Sequence, residues 1–280
     1  MYAGRRPSSN RLLFRTKPTP GCTFFLFIFS TNSMNPQATL DQLQSLRLGG
    51  MARQYEAVLQ LPAHQHPDAH TLIATLADAE HLYRNHAKIQ LYLRLGKLRY
   101  SATLEQINYS PLRNLSKDHV MPLIDCAWIE RAENMLITGP TGSGKSFLAC
   151  AFGHQACLMG YRVLYFNMNR FIDKILCTKL DGSFPKFLNH LERMHLIVLD
   201  DFGIAPLDQN IRLAILQMLE DRYGKKSVII ASQIPIAHWH EFIADPTLAD
   251  AILDRLMANT QRFELKGESL RRKQTSQNPT

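Results

Sequence analysis

The sequence predicts an α/β domain built on a parallel sheet, with a small all-helical region in front of it. Three observations lead there. Beyond residue 130, short apolar runs alternate with helical patterns; one of those runs passes straight into the glycine-rich stretch GPTGSGKS; and before about 110 the periodicity is helical throughout. At 280 residues and 45% hydrophobic content, the chain has material for one large or two modest packed units.

The first 33 residues hold five positive charges (Arg5, Arg6, Arg11, Arg15 and Lys17) and no acid, and they include FFLFIF at 24–29. A positive stretch before an apolar one has the outline of a secretory signal, but this apolar core is short, lies far from the terminus and cannot span a bilayer. Met34 is therefore the expected start, residues 1–33 a non-native or disordered extension, and the protein cytoplasmic. Subtracting those five cations from the formal +8 leaves +3, too little to argue for a polyanionic partner from totals alone. The cysteines at 22, 126, 150, 157 and 177 form no CxxC pair, which points to reduced, buried thiols.

From Thr39, leucines at 40, 43, 46 and 48, a break at Gly49 and Gly50, then Met51, Tyr55, Val58 and Leu59 predict two short amphipathic helices. The linker PAHQHPDAH at 62–70 carries three histidines with no metal-ligand spacing to an acid or thiol. A long helix over 69–98 follows, with apolar residues 72, 73, 76, 83 and 91 on one side. Between 81 and 117, seven Lys or Arg stand against Glu105, a local +6. An ordinary solvated face intersperses both signs, so Arg84, Lys88, Arg94, Lys97 and Arg99 are expected to contact the phosphates of DNA.

Strands are expected at 134–139, 161–166, 196–200 and 227–232, each apolar enough to be buried on both faces, as parallel strands between helix layers are. Helical patterns at 144–159, 169–180 with 184–193, and 209–222 separate them. The first strand runs into Gly139, Pro140, Thr141, Gly142, Ser143, Gly144, Lys145 and Ser146, a full match to GxxxxGK[ST] between strand and helix. Backbone N–H groups of such a loop wrap phosphate oxygens at a helix N-terminus, Lys145 would reach the β- and γ-phosphates, and Ser146 would coordinate Mg²⁺. Parallel strands end on one edge, so Asp200 in LIVLDDFG should face the same crevice and hold Mg²⁺, with Asp201 orienting or deprotonating the attacking water. The run SVIIAS ends in Ser232 and Gln233, and Gln233 is favoured over Ser232 to sense the γ-phosphate. ATP and Mg²⁺ are the cofactors implied.

The stretches TLDQLQSLRLGGMA, NMLITGPTGSGKSFLACAFGHQAC, LIVLDDFGIAPL, LEDRYGKKSVIIASQIPIAHWHE and PTLADAILDRLMANTQRFELKGESLRR together resemble the IstB-like ATP-binding proteins. These are helper ATPases of insertion-sequence transposition, related to the DnaC helicase loaders within the AAA+ superfamily. The resemblance spans Thr39 to Arg272. It implies a P-loop AAA+ core at 111–270, a basic helical domain at 34–110 that binds DNA or a partner, and a polar tail at 271–280. Gly139, Gly142, Gly144, Lys145 and Ser146 map to the P-loop, Asp200 and Asp201 to the Walker B pair, and Gln233 to the sensor strand. Arg255 falls where such proteins carry an arginine that reaches the γ-phosphate of an adjacent subunit, and Arg271 is a weaker second candidate. Only about 45 residues follow SQIP, so the helical lid usual in that superfamily is expected to be reduced or absent. An aspartate at 201, where many members have glutamate, suits slow turnover. The implied activity is ATP hydrolysis that switches a multimer assembled on double-stranded DNA, which recruits or activates a transposase, without a membrane partner. The alternative is a replicative helicase loader.

Overall fold

A computed structural model describes residues 35–267. The expected leader at 1–33, the tail at 271–280 and Arg271 lie outside the described residues.

The described residues begin with three α-helices. Asn35 and Asp68 cap α1 (Pro36–Ser45) and α3 (Ala69–Gly96) by accepting backbone N–H groups of the first turn, as short polar side chains at helix starts do. The helix between them, α2 (Gly49–Leu59), has no side-chain cap of its own. Glu80 of α3 supplies one from outside: its carboxylate accepts the N–H groups of Gly50 and Met51 at 2.8 and 3.2 Å, and Arg84 Nε at 2.6 Å. An anion at a helix N-terminus is favoured by the dipole. Burial works against the charge of Glu80, yet Arg84 and the two amides hold its pKa below the ordinary carboxylate value. The two helices touch at Gly50, where an added Cβ would lie 2.5 Å from the Ala79 carbonyl oxygen and 2.6 Å from Glu80 Cα. The apolar side expected on α3 is only partly covered, with Ile73 68% and Leu91 41% exposed. The reason is that α2 reaches only the middle of α3, whereas the C-terminal part lies on the sheet domain through Tyr92, Leu93 and Gly96.

After Gly96, Lys97 adopts a left-handed conformation and the chain enters the core. Ala102, Leu104, Ile107 and Leu115, together with Trp128 of α5 (Ala127–Glu130), which follows the short α4 (Lys117–Val120), belong to the same hydrophobic cluster as Met135, Ile137 and Phe152. Three of these precede the expected domain boundary near 110.

The remaining elements alternate: β1 (Asn134–Thr138), α6 (Lys145–Leu158), β2 (Val163–Asn167), α7 (Met168–Leu180), α8 (Phe184–Glu192), β3 (Leu196–Phe202), α9 (Gln209–Arg222), β4 (Ser227–Ser232), α10 (Trp239–Ile243), α11 (Pro246–Met257) and β5 (Thr260–Glu264). All strand pairs are parallel and the order is β2-β3-β4-β1-β5. Side chains alternate between faces: Met135, Ile137 and Val198 pack under α6, and Leu136, Ile197 and Leu199 under α7 to α11. The fifth strand was not anticipated. TQRFE buries Phe263 alone, because an edge strand paired only with β1 needs no continuous apolar run. Among the described residues, a single 3-10 turn, α10, α11 and this strand follow β4. At the sheet's other end Arg222, 1% exposed, donates to the carbonyls of Leu191, Met194, His195 and Ser227, tying α8 to the starts of β3 and β4. No helix among the described residues is long and apolar enough to cross a membrane. Cys126, Cys150 and Cys157 are buried free thiols; Cys177, expected to be buried as well, is exposed on α7.

Candidate nucleotide site

The loop from Gly139 to Gly144 leaves the C-terminal end of β1 and turns into α6. Gly139 has φ +146°, and a Cβ there would stand 2.4 Å from the Leu265 carbonyl oxygen, so only glycine lets the chain pass the end of β5. Arg113 braces the loop from the N-terminal segment, donating to the Ser143 carbonyl at 2.6 Å and to the Asn108 carbonyl at 2.5 Å; burial lowers its pKa. Lys145 Nζ donates to the Pro140 carbonyl at 2.9 Å, folded over the loop it follows.

β4 lies between β1 and β3, and the loops beyond all three meet. Thr141 Oγ1 donates to Gln233 Oε1 at 2.6 Å, joining the glycine-rich loop to the end of β4. Ser232 is spent on the backbone, donating to the Phe202 carbonyl at 2.6 Å and accepting the Ile234 N–H at 3.1 Å. Ser146 Oγ donates to Asp200 Oδ1 at 2.9 Å across 54 residues of sequence.

Asp200 is fully buried and well provided for. Its other oxygen accepts the Tyr165 hydroxyl at 2.6 Å, and the N–H of Asp201 reaches Oδ1 at 3.0 Å. Burial, then the Asp200 carboxylate, push the Tyr165 phenol far above its ordinary pKa, so it stays a donor. In a regular strand Asp200 and Asp201 would point to opposite faces. Here the register between β3 and β4 shifts between Leu199 and Phe202, and Asp201 takes a left-handed φ of +62°, a conformation aspartate tolerates. This bulge brings both carboxylates to one cation: Arg99 Nη1 stands 3.2 Å from Asp201 Oδ2 and 3.6 Å from Asp200 Oδ2. Asn167, paired in register with Asp200, donates to Asp201 at 2.6 Å. A cavity of about 570 Å³ opens over this arrangement. Polar groups of the loop, Asp201 and Gln233 line it together with Tyr100, Ile107, Leu115 and Phe147, a mixture suited to a phosphate and a flat base. The Ser146 hydroxyl and the Asp200 carboxylate are hard oxygen donors that fit Mg²⁺.

Residues 41–278 match the family described as IstB-like ATP binding protein. The chain belongs to that family. Two insertion-sequence ATP-binding proteins of Sinorhizobium fredii are similar to this IstB-like chain, one at 40% identity over 84% of this chain and 96% of the relative, the other at 41% over 84% and 94%. Among solved structures, AMPPCP-bound DnaA from Aquifex aeolicus is similar in fold, with a TM-score of 0.51 at 19% identity, over 65% of this chain and 56% of that one. The architecture is the P-loop AAA+ fold.

The structure does not keep the five expected DNA-contacting cations on one surface. Arg84 is paired with Glu80, Lys88 lies over the Tyr92 ring, and Arg94 is exposed on α3. Lys97 and Arg99 lie beyond the helix and turn toward the sheet edge, where Arg99, still 40% exposed, also faces the two aspartates. The left-handed turn at Lys97 redirects the chain there, so Lys97 and Arg99 leave the surface of α3 that carries Arg84, which helical periodicity alone does not reveal. Arg255 lies at the opposite end of the sheet from the loop, its carbonyl accepting from Asn134 at the start of β1 and its guanidinium 2.5 Å from Glu220. It is a strand's length from the site in its own chain. Tyr165, Asn167 and Arg113 were not expected at any site, and Arg99 was expected on DNA rather than beside the nucleotide loop. Asn167 could have been found, since it ends a parallel strand on the edge already assigned to the ligand; Arg99 and Arg113 come from outside the alternating region and carried no such signal.

Proposed function

We propose that this IstB-like chain hydrolyses ATP and uses the hydrolysis to time a multimer that assembles on double-stranded DNA and recruits or activates a transposase. The observation that carries the reading is the direct bond between Ser146 and Asp200, which joins the complete glycine-rich phosphate loop that lines the cavity to a buried carboxylate. The names of the relatives, ATP-binding proteins of insertion sequences, support the setting.

The loop amides would bind the phosphates, and Lys145 would exchange the Pro140 carbonyl for phosphate oxygens. Ser146 and Asp200 would hold Mg²⁺, which when bound neutralises charge on the phosphates. Tyr165 keeps the Asp200 carboxylate oriented. Asp201 would position and deprotonate the attacking water once Arg99 withdraws, and Gln233 would register the γ-phosphate next to Thr141. Tyr100, Ile107, Leu115 and Phe147 would take the base. Arg255 would act on the site of a second copy, since its own lies at the far end of the sheet; it must first leave Glu220.

The test is DNA binding by the purified chain with and without ATP. ATP should tighten binding to duplex DNA and raise the assembled mass, and Lys145→Ala should abolish both effects. DNA affinity and mass that do not respond to ATP would defeat the proposal.

A further inference from the structure

A second cavity, of about 690 Å³, lies beside the nucleotide cavity and is walled by β2, α7, α8 and the residues that follow α3. Lys97, Arg99, Arg170, Lys174 and His190 line it, with Phe187 among them, and no Asp or Glu contributes to its lining. Arg170 and Lys174, four residues apart on α7, share a helix face. Lys97 is brought in by its left-handed turn. A concavity with cations from two separate parts of the chain and no carboxylate is unlike an ordinary mixed surface. Three of its residues also touch the nucleotide site, Tyr165 through its bond to Asp200. Arg99 lines both cavities, and Asn167, on the wall of the second, donates to Asp201.

We propose that this second cavity binds a phosphodiester of a nucleic-acid backbone and reports its occupancy to the ATP site through Arg99. Guanidinium groups of Arg99 and Arg170 present forked donors that match phosphate oxygens, with Lys174 adding a point charge. The cavity is far larger than an inorganic phosphate needs, and Phe187 offers an apolar face for a sugar or base. The coupling follows from competition. Arg99 stands 3.2 Å from Asp201 Oδ2, so a phosphate that draws the guanidinium away leaves Asp201 with the Asn167 amide alone and free to take a water proton. Nucleic acid bound here therefore raises ATP turnover; as a matter of affinity, it favours the ATP-bound state in which Asp201 engages water, and by reciprocity that state favours nucleic acid. This deepens the DNA-dependent reading given above and rests on it.

The test uses the full chain and the double variant Arg170→Ala/Lys174→Ala, with Lys225→Ala, exposed at the other end of the sheet, as the control. Binding of a fluorescent duplex and of the matching single strand is followed by anisotropy between 50 and 200 mM salt, about the range over which phosphate contacts are read from the slope. The double variant should bind at least about tenfold more weakly, with a log–log salt slope reduced by about one to two, and should lose DNA-stimulated ATP hydrolysis. Its basal hydrolysis and ATP affinity should match the parent, and Lys225→Ala should behave as the parent throughout. Parental DNA affinity and slope in the double variant overturn the inference, as does a loss confined to binding of a polyglutamate peptide, which would make the cavity a site for an acidic protein. If the parent chain binds no DNA with or without ATP, the functional reading itself falls and takes this inference with it.

Discussion

Replacing Tyr165 by phenylalanine isolates one contact at the metal-facing carboxylate. The ring is 8% exposed and its packing survives the change, so the perturbation is the loss of the hydroxyl, with its 2.6 Å hydrogen bond to Asp200 Oδ2 and its interaction with Arg99. Asp200 is wholly buried, and the oxygen concerned then faces only Arg99 at 3.6 Å, beyond hydrogen-bond distance. A hydrogen bond to an ionised group contributes about 1.5–3 kcal/mol. Groups that orient metal ligands change metal affinity by about 10–100-fold when removed, which is about 1.4–2.7 kcal/mol at 1.36 kcal/mol per decade. The two figures agree. The half-saturating Mg²⁺ concentration for binding a fluorescent ATP analogue should therefore rise by about 10–100-fold in Tyr165→Phe, while binding in the presence of a chelator stays the same. A shift smaller than about threefold in a variant that melts with the parent would refute the view that Tyr165 aims Asp200 at the metal.

Gly50→Ala should separate α2 from α3, because its Cβ has no room against Ala79 and Glu80; overpacking of this kind costs about 1–3 kcal/mol, and parental protection of the Gly50 and Met51 amides in hydrogen exchange would contradict it. Arg222→Ala strands two buried and two part-buried carbonyls and should lower stability by more than about 3 kcal/mol, read from the denaturant midpoint, where an unchanged value would deny the bracing role. Burial pushes the thiols of Cys126, Cys150 and Cys157 up to about 12, 11 and 12, above the unfolded value near 8.5. Their contribution to stability is thus whole below about pH 8.5 and is lost as pH rises through those folded values, so melting temperature should fall in alkali. In a Cys22→Ser background a thiol reagent at pH 8 should modify Cys177 well before the other three, and equal rates would contradict their burial.

Much of the site was legible because its parts obey local rules. The glycine-rich loop needs a fixed residue spacing between a strand and a helix, and GPTGSGKS shows it without help from the rest of the chain. Asp200 followed from one topological fact, that parallel strands end on a common edge. Strands β1 to β4 were visible as apolar runs, β2 included although it lies at an edge, because α3 and α7 pack against it; β5 was not, since it buries Phe263 alone and TQRFE reads as polar. Arg84 to Arg99 illustrate the opposite limit. Charge counted along the chain suggested one basic surface, but charges act where the backbone delivers them, and a single left-handed residue sends two of these cations elsewhere.

Composition and spacing thus determined that this is a parallel α/β nucleotide-binding chain with a helical region before it, because strand burial, helix periodicity and phosphate-loop geometry are each written in short windows. Only the tertiary structure decided what stands against the Asp200–Asp201 pair. Their joint contact with Arg99 depends on a bulge between β3 and β4 and on the turn at Lys97, two features 102 residues apart in the Arg99–Asp201 pairing, and no local pattern encodes a distance of that kind.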